Sequence, residues 1–368
     1  MCKEVYNSTS KWLNLEKYNR KDDRVKKKKI IIGIALLILI IAIAVTVILL
    51  IINNKQKNNK PEDVQTDFYV ADGGIYEKTG NMNENAITSN VEKINNVYDK
   101  YLQNMNVYFT TIPDKTYYLE NKIDSDFSNI QTEIEKNLNS NISYFDISNS
   151  LTLGDYYKTD MHWKQENLNN VVSTIQNEMK VSKREVKYEE KSLGDFYGAY
   201  YKEIGNMEKV ETLSENEIVS TNSVAHDELK YLTNEEIENS KVYNEETKQD
   251  EPIYNLEKVE ETGNKYDIFL SGASSIQIIQ NQENNTGNKL IIFRDSFGSS
   301  LAPLLINNYE EILLIDLRYV NYNILENYID FSEYENSDVL FIYSSRVINK
   351  TGILRWFVWK LLEIHCIK

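Results

Sequence analysis

Cysteine, histidine, proline and glycine are all scarce in this chain of 368 residues, and each shortage excludes something. The two cysteines, Cys2 and Cys366, cannot build a disulfide framework or a thiolate metal cluster. No Cys or His pattern has the spacing of metal ligands, and the 13 glycines form no phosphate-cradling loop, so no metal or other cofactor is expected. The three histidines, His162, His226 and His365, are the whole supply of imidazole bases. Positive charge is short as well: 41 Lys and Arg stand against 56 Asp and Glu, a net charge of −15. With four prolines the composition fits neither a fibrous nor a disordered class, and the length suffices for one large domain or two small ones with a sizeable core.

What is present begins with an apolar run. Ile30 to Ile52 contains no charged residue, and 23 residues at ~1.5 Å each exceed the ~30 Å apolar core of a bilayer. A cleaved signal peptide has a shorter apolar region followed by small residues, whereas Asn53-Asn-Lys-Gln-Lys57 follows here, so the run predicts a transmembrane helix. Before Ile30, ten Lys or Arg outnumber four Asp or Glu, an excess of six positive charges, so with −15 overall the remainder carries −21. The positive-inside rule makes residues 1–29 cytoplasmic and everything after Ile52 extracytoplasmic, with 53–65 a polar stalk. Cys2 and Cys366 then lie on opposite sides of the membrane and cannot pair within one chain. So acidic an outer part argues against nucleic acid or anionic lipid as its partner.

Two stretches carry the chemistry. In Lys289-Leu-Ile-Ile-Phe-Arg-Asp-Ser-Phe-Gly-Ser-Ser-Leu-Ala-Pro-Leu-Leu305 an apolar, β-branched run stops at Arg294-Asp295-Ser296 and a helical pattern follows: strand, tight turn, helix. Ser296 would sit at the carboxyl end of a strand, where α/β sheets bind ligands. Gly298 is expected to let the chain bend, Ser299 or Ser300 to cap the helix, and Pro303 to lie in its first turn. Amides at the helix start would face an anion formed at Ser296. The second stretch is Gly154-Asp-Tyr-Tyr-Lys-Thr-Asp160-Met161-His162-Trp163. Residues two apart point the same way in extended chain, so Asp160 can hold one imidazole nitrogen of His162 while the other faces a nucleophile. That is orienter, base and nucleophile in the chain order Asp, His, Ser. The alternative is a histidine that Asp160 holds only to fix the turn.

Tyr156-Tyr-Lys-Thr-Asp-Met-His-Trp163, the Ser296 stretch and the later Ile315-Asp-Leu-Arg318-Tyr319 together resemble the bacterial DHHW family. That family is similar to the SGNH-hydrolase-like domains of alginate and other polysaccharide O-acetyltransferases. The resemblance covers roughly residues 66–349 and implies Asp160 as orienter, His162 as base and Ser296 as nucleophile. Met161 replaces the family's second His. The SGNH oxyanion Asn has no secure counterpart in Phe269-Leu-Ser-Gly272-Ala-Ser-Ser-Ile276, which leaves the backbone amides of Ser296 and Gly272 for the oxyanion. By this resemblance the chain is an acetyltransferase or esterase of cell-envelope glycan, with the acyl donor supplied by a separate membrane-bound acyltransferase. The other reading is a membrane-anchored carbohydrate-binding or assembly protein with a degenerate triad.

Along the rest of the chain, helical periodicity predicts helices at Glu92 to Met105, Phe127 to Leu138 and Leu168 to Met179. Strands are predicted at Asn106 to Ile112, Ile142 to Ile147, Tyr266 to Leu270, Glu311 to Asp316 and Asp338 to Tyr343. The rhythm predicts a three-layer α/β/α fold with a parallel sheet, the SGNH-hydrolase-like class that the resemblance implies. Residues 181–265 interrupt it as an acidic insertion. Its Leu193-Gly-Asp-Phe-Tyr197-Gly198-Ala-Tyr200-Tyr201 cluster either offers Tyr197 and Tyr200 as platforms for sugar rings or packs a hairpin against the sheet. His226 is expected on the surface, and Glu245 to Glu251 as a solvated loop. Arg318, on the same sheet edge as Ser296, either binds substrate or pairs with Asp316 or Asp295. Asp295 either caps the turn or pairs with Arg294. The apolar stretch at 350–368 departs from the composition upstream and reads as an anomalous tail, which leaves His365 little weight as a base.

Overall fold

Short apolar runs that are buried on both faces build the centre of the protein. The computed structural model describes residues 67–119, 126–204, 209–212, 218–220 and 226–354. The run Ile30–Ile52, the stalk and most of the C-terminal tail with His365 lie outside the described residues. Among the described residues no helix is long and apolar enough to cross a membrane.

The strands in chain order are β1 (Phe68–Ala71), β2 (Gly74–Glu77), β3 (Asn106–Ile112), β4 (Ser143–Tyr144), β5 (Glu189–Phe196), β6 (Lys209–Thr212) and β7 (Ile218–Ser220). They continue with β8 (Asp227–Thr233), β9 (Lys241–Asn244), β10 (Gln249–Pro252), β11 (Ile276–Gln280), β12 (Lys289–Arg294), β13 (Glu311–Ile315) and β14 (Asp338–Ser344). Eight of them form one sheet in the order β10-β9-β11-β13-β12-β14-β3-β4. From β13 to β4 every pairing is parallel.

Alternation of side chains assigns the two faces. Leu290, Ile292, Leu340 and Ile342 pack on one side with Val171 and Ile175 of the helix Asn169–Glu178 and Leu301 of the helix Phe297–Leu305. Ile291, Phe293, Val339 and Phe341 pack on the other with Ile87, Val91 and Ile94 of the helix Glu84–Val97 and Ile130 and Ile134 of the helix Phe127–Asn137. Helices therefore cover a central sheet on both sides.

Several expectations change. The sheet is mixed, because β11, β9 and β10 run antiparallel at one edge. The charged run Glu245–Glu251 is the tip and outer strand of the β9–β10 hairpin: an edge strand exposes its side chains, and charge there discourages further pairing. Tyr266–Leu270 is a 3₁₀ turn, Lys265–Ile268, followed by loop, and the strand comes later as β11. The first helix starts at Glu84, where the Asn83 side chain accepts from the Ala86 amide at 3.1 Å. The expected strand at 142–147 shortens to β4. Two small sheets, β2-β1-β6-β7 and β5-β8, complete the strand set.

Candidate active site

The polar corner after β12 is built by Asp295. Its Oδ1 accepts from the Phe297 amide at 3.1 Å and its Oδ2 from the Ser344 amide at 2.7 Å, so one carboxylate caps the helix Phe297–Leu305 and ties its start to the end of β14. Ser296 is the N-cap residue. Ser299 and Ser300 lie inside the helix rather than capping it, and Pro303 lies beyond its first turn. Gly298 is required by space rather than by a bend: an added Cβ would meet Arg294 Cβ at 2.6 Å. Arg294 is buried, donating to Ser299 Oγ at 2.9 Å and to Gln277 Oε1 at 2.8 Å.

Opposite this corner, the segment 156–163 folds back on itself through an isolated antiparallel bridge between Tyr156 and Trp163. The fold brings Ser296 Oγ within 2.8 Å of His162 Nε2, across 134 residues of sequence. His162 Nδ1 lies 2.6 Å from Asp160 Oδ1, and the same oxygen accepts from the His162 amide at 2.9 Å. Asp160 Oδ2 accepts from the Ala199 amide at 2.7 Å. Burial alone would push the Asp160 carboxyl up, but the imidazole and the Ala199 and His162 amides outweigh it and hold the group down at about 2.

The imidazole is further fixed by stacking on the Tyr266 ring, 3.9 Å between centroids and 15° from parallel, and by contact with Phe297. Tyr266 in turn bonds Ser300 Oγ at 3.0 Å, and Trp163 Nε1 donates to the same oxygen at 2.9 Å. Gln165 Nε2 donates to the Ser300 carbonyl at 2.7 Å. The serine helix and the histidine turn are thus joined by bonds on either side of the Ser296 to His162 contact.

Periodicity missed the contribution of residues 181–265. Gly198 packs so closely on Asp160 that an added Cβ would meet its Cβ at 2.3 Å and its Oδ2 at 2.6 Å. Asp227 on β8 accepts from the amides of Lys158 and Thr159 at 2.8 and 2.7 Å and from Thr159 Oγ1 at 2.6 Å. The Gly-aromatic cluster was the visible signal, but its use is to seat a carboxylate. Tyr200 cannot be a sugar platform: it is 2% exposed, packed with Val70 and Ile75, and its hydroxyl accepts from Arg346 Nη1 at 2.8 Å. Tyr197 is exposed, tilted against Tyr201 and His226. His226 is also exposed, 3.1 Å from Asp195.

Gly272 does not offer its amide to the site, since that N–H donates to the Phe269 carbonyl at 3.1 Å. Arg318 makes a two-pronged pair with Asp316, Nε to Oδ1 at 2.9 Å and Nη2 to Oδ2 at 2.6 Å. It also lines a groove of about 710 Å³ with Met161, Asp114, Ser345 and Arg346, so the ion pair does not remove it from the surface. Another cavity, about 790 Å³, lies where Lys289 and Asp338 begin β12 and β14. Two of its asparagines are engaged within the protein, Asn308 with Gln176 and Ser182 and Asn284 with Thr286.

No family model and no curated protein matches the chain. Solved structures do. A DHHW family protein from Eubacterium siraeum is 21% identical over 79% of this chain and 95% of that one, with a TM-score of 0.62. Bacillus cereus PatB1 is 18% identical over 78% of this chain and 98% of its own, with a TM-score of 0.56. The structure of PatB1 with a sulfonyl adduct aligns at 15% identity and a TM-score of 0.55 over 79% of this chain and 98% of that one. The chain has the fold of the DHHW family protein, in keeping with the resemblance carried by its Asp160-Met-His-Trp163 and Arg294-Asp-Ser296 segments.

Proposed function

We propose that this chain is an SGNH-like acyl transferase or esterase acting on cell-envelope polysaccharide, with Ser296 as nucleophile, His162 as base and Asp160 as orienter. The observation that carries the reading is the unbroken chain of contacts from Ser296 Oγ through His162 to Asp160, 2.8 and 2.6 Å, at the carboxyl end of β12. As Ser296 Oγ bonds to an acyl carbonyl carbon, His162 Nε2 takes the hydroxyl proton. The Ser296 N–H at the head of the helix faces the oxygen that gains charge. Collapse breaks the bond to the leaving oxygen, which takes from His162 the proton that came from Ser296. A sugar hydroxyl or water then attacks the acyl-serine by the same steps in reverse. Arg318 and the groove beside Met161 are assigned to the acceptor.

Residues 30–52 are proposed as a membrane anchor that holds the domain outside the cell, close to a membrane-bound acyl donor. A second reading, a carbohydrate-binding protein with a degenerate site, is favoured by one observation: the Gly272 amide is committed elsewhere, which leaves fewer donors for an oxyanion.

The test is hydrolysis of an acetyl ester together with covalent labelling by a sulfonyl fluoride, comparing wild type with Ser296→Ala. PatB1 has been solved with a sulfonyl adduct, which makes the reagent class a natural probe. Turnover and labelling that both vanish in Ser296→Ala support the enzyme. A folded wild type with neither leaves glycan binding as the function.

A further inference from the structure

Lys115 is buried, 2% exposed, in the turn that follows β3. Its Nζ donates to three backbone carbonyls, those of Tyr157 at 3.0 Å, Lys158 at 3.2 Å and Asp160 at 2.8 Å. The Tyr76 and Tyr200 rings flank the nitrogen, with centroids at 4.8 and 4.9 Å. Among the described residues no carboxylate forms an ion pair with it. Three carbonyls converging on one nitrogen match the three N–H groups of an ammonium, where a neutral amine has two.

Those carbonyls belong to the turn that delivers Asp160. Its amides are held separately, Lys158 and Thr159 by Asp227, while the Lys158 carbonyl also accepts from Ile75 on β2 at 2.8 Å. A cation gathers the carbonyls of the turn, an anion gathers its amides, and Asp160 is left aimed at the imidazole. Burial of a charge with no carboxylate in direct contact is costly, so packing alone gives no reason for a lysine here.

We propose that Lys115 is a positioning residue for the proton-transfer pair: its ammonium fixes the 157–160 turn so that Asp160 holds His162 toward Ser296. This rests on the triad reading above. The ionisable groups facing Lys115 are Asp114, Asp160, Asp227 and Arg346, together with the hydroxyls of Tyr76 and Tyr200, which burial keeps neutral. Burial draws the ammonium down to about 7, against the pull of the three carboxylates and with a further push from Arg346. As pH rises through that range one of the three N–H groups is lost and the turn loosens.

The experiment follows kcat and KM for acetyl-ester hydrolysis by the full-length chain across pH, for wild type, Lys115→Met, Lys115→Arg and Ser296→Ala, with thermal unfolding as the check on folding. Wild type is expected to lose kcat on an alkaline limb with its midpoint near about 7. Lys115→Met is expected to lower kcat about 10- to 100-fold, the effect of misplacing a reacting group by about 1 Å, with KM within about twofold. Lys115→Arg keeps its charge at all these pH values and is expected to lack the limb. A Lys115→Met chain with wild-type kcat, or a limb unchanged in Lys115→Arg, overturns the proposal. Where Lys115→Met fails to fold, the limb in Lys115→Arg decides. A wild type no faster than Ser296→Ala overturns the triad reading and this proposal with it.

Discussion

Asp160 shows how much work one side chain is given. Four groups converge on it: the imidazole and amide of His162, the amide of Ala199, and Gly198, whose missing side chain leaves room for the carboxylate. Replacing it by Asn keeps the shape but no longer selects the tautomer in which Nδ1 carries the proton, and kcat is expected to fall about 10³- to 10⁴-fold in steady-state assays. The same residue sets an acid limit on stability. Its carboxyl is held below the ordinary value of 3.8, at about 2, so its contribution is fully present above pH 3.8 and is lost as pH falls toward 2. Thermal unfolding followed through that window should show a loss in wild type that Asp160→Asn lacks; equal slopes would mean that the native contacts do not hold the charged form. At this scale the sequence singled out Asp160, His162 and Ser296 as candidates by residue type and local motif, and the fold places the three in contact. It was not legible for Asp227, Gly198 or Lys115, whose partners are backbone groups or side chains far along the chain.

At the scale of elements, the serine helix depends on its fit against β12. Gly298 is the point of closest approach, and a methyl group there would overlap Arg294, which is itself buried and bonded to Ser299. Gly298→Ala is therefore expected to cost about 1–3 kcal/mol by overpacking, measured as a lower denaturation midpoint in urea, and to lower activity as Ser296 shifts with the helix start. A midpoint within error of wild type would argue that the helix and strand yield easily. Helices with a strong apolar stripe, such as Phe127–Asn137 and Asn169–Glu178, were readable from periodicity to within about two residues. The β9–β10 hairpin was not, because an edge strand exposes both its charge and its polar alternation and so looks like a solvated loop.

At the scale of the whole molecule, the proposal for residues 30–52 rests on charge and hydropathy along the sequence. The excess of six positive charges before Ile30 and the net charge of −21 after it are the asymmetry from which the proposed orientation is argued. The full chain is expected to stay with the membrane fraction after alkaline carbonate washing, and a chain lacking residues 1–52 to be released into the soluble fraction. Release of the full chain by carbonate alone would remove the anchor from the account.

The sequence by itself determined the α/β alternation, the strand-turn-helix around Ser296 and the identity of the three candidate catalytic residues, since local periodicity and side-chain chemistry are written in neighbouring positions. Tertiary structure alone decided that His162 meets Ser296 at 2.8 Å, that the sheet ends in antiparallel strands, that Tyr200 is buried, and that Lys115 and Asp227 clamp the histidine turn from two sides. Those outcomes depend on which distant backbone carbonyls and amides need partners once the sheet has closed, and a backbone group carries no mark of that need in the sequence.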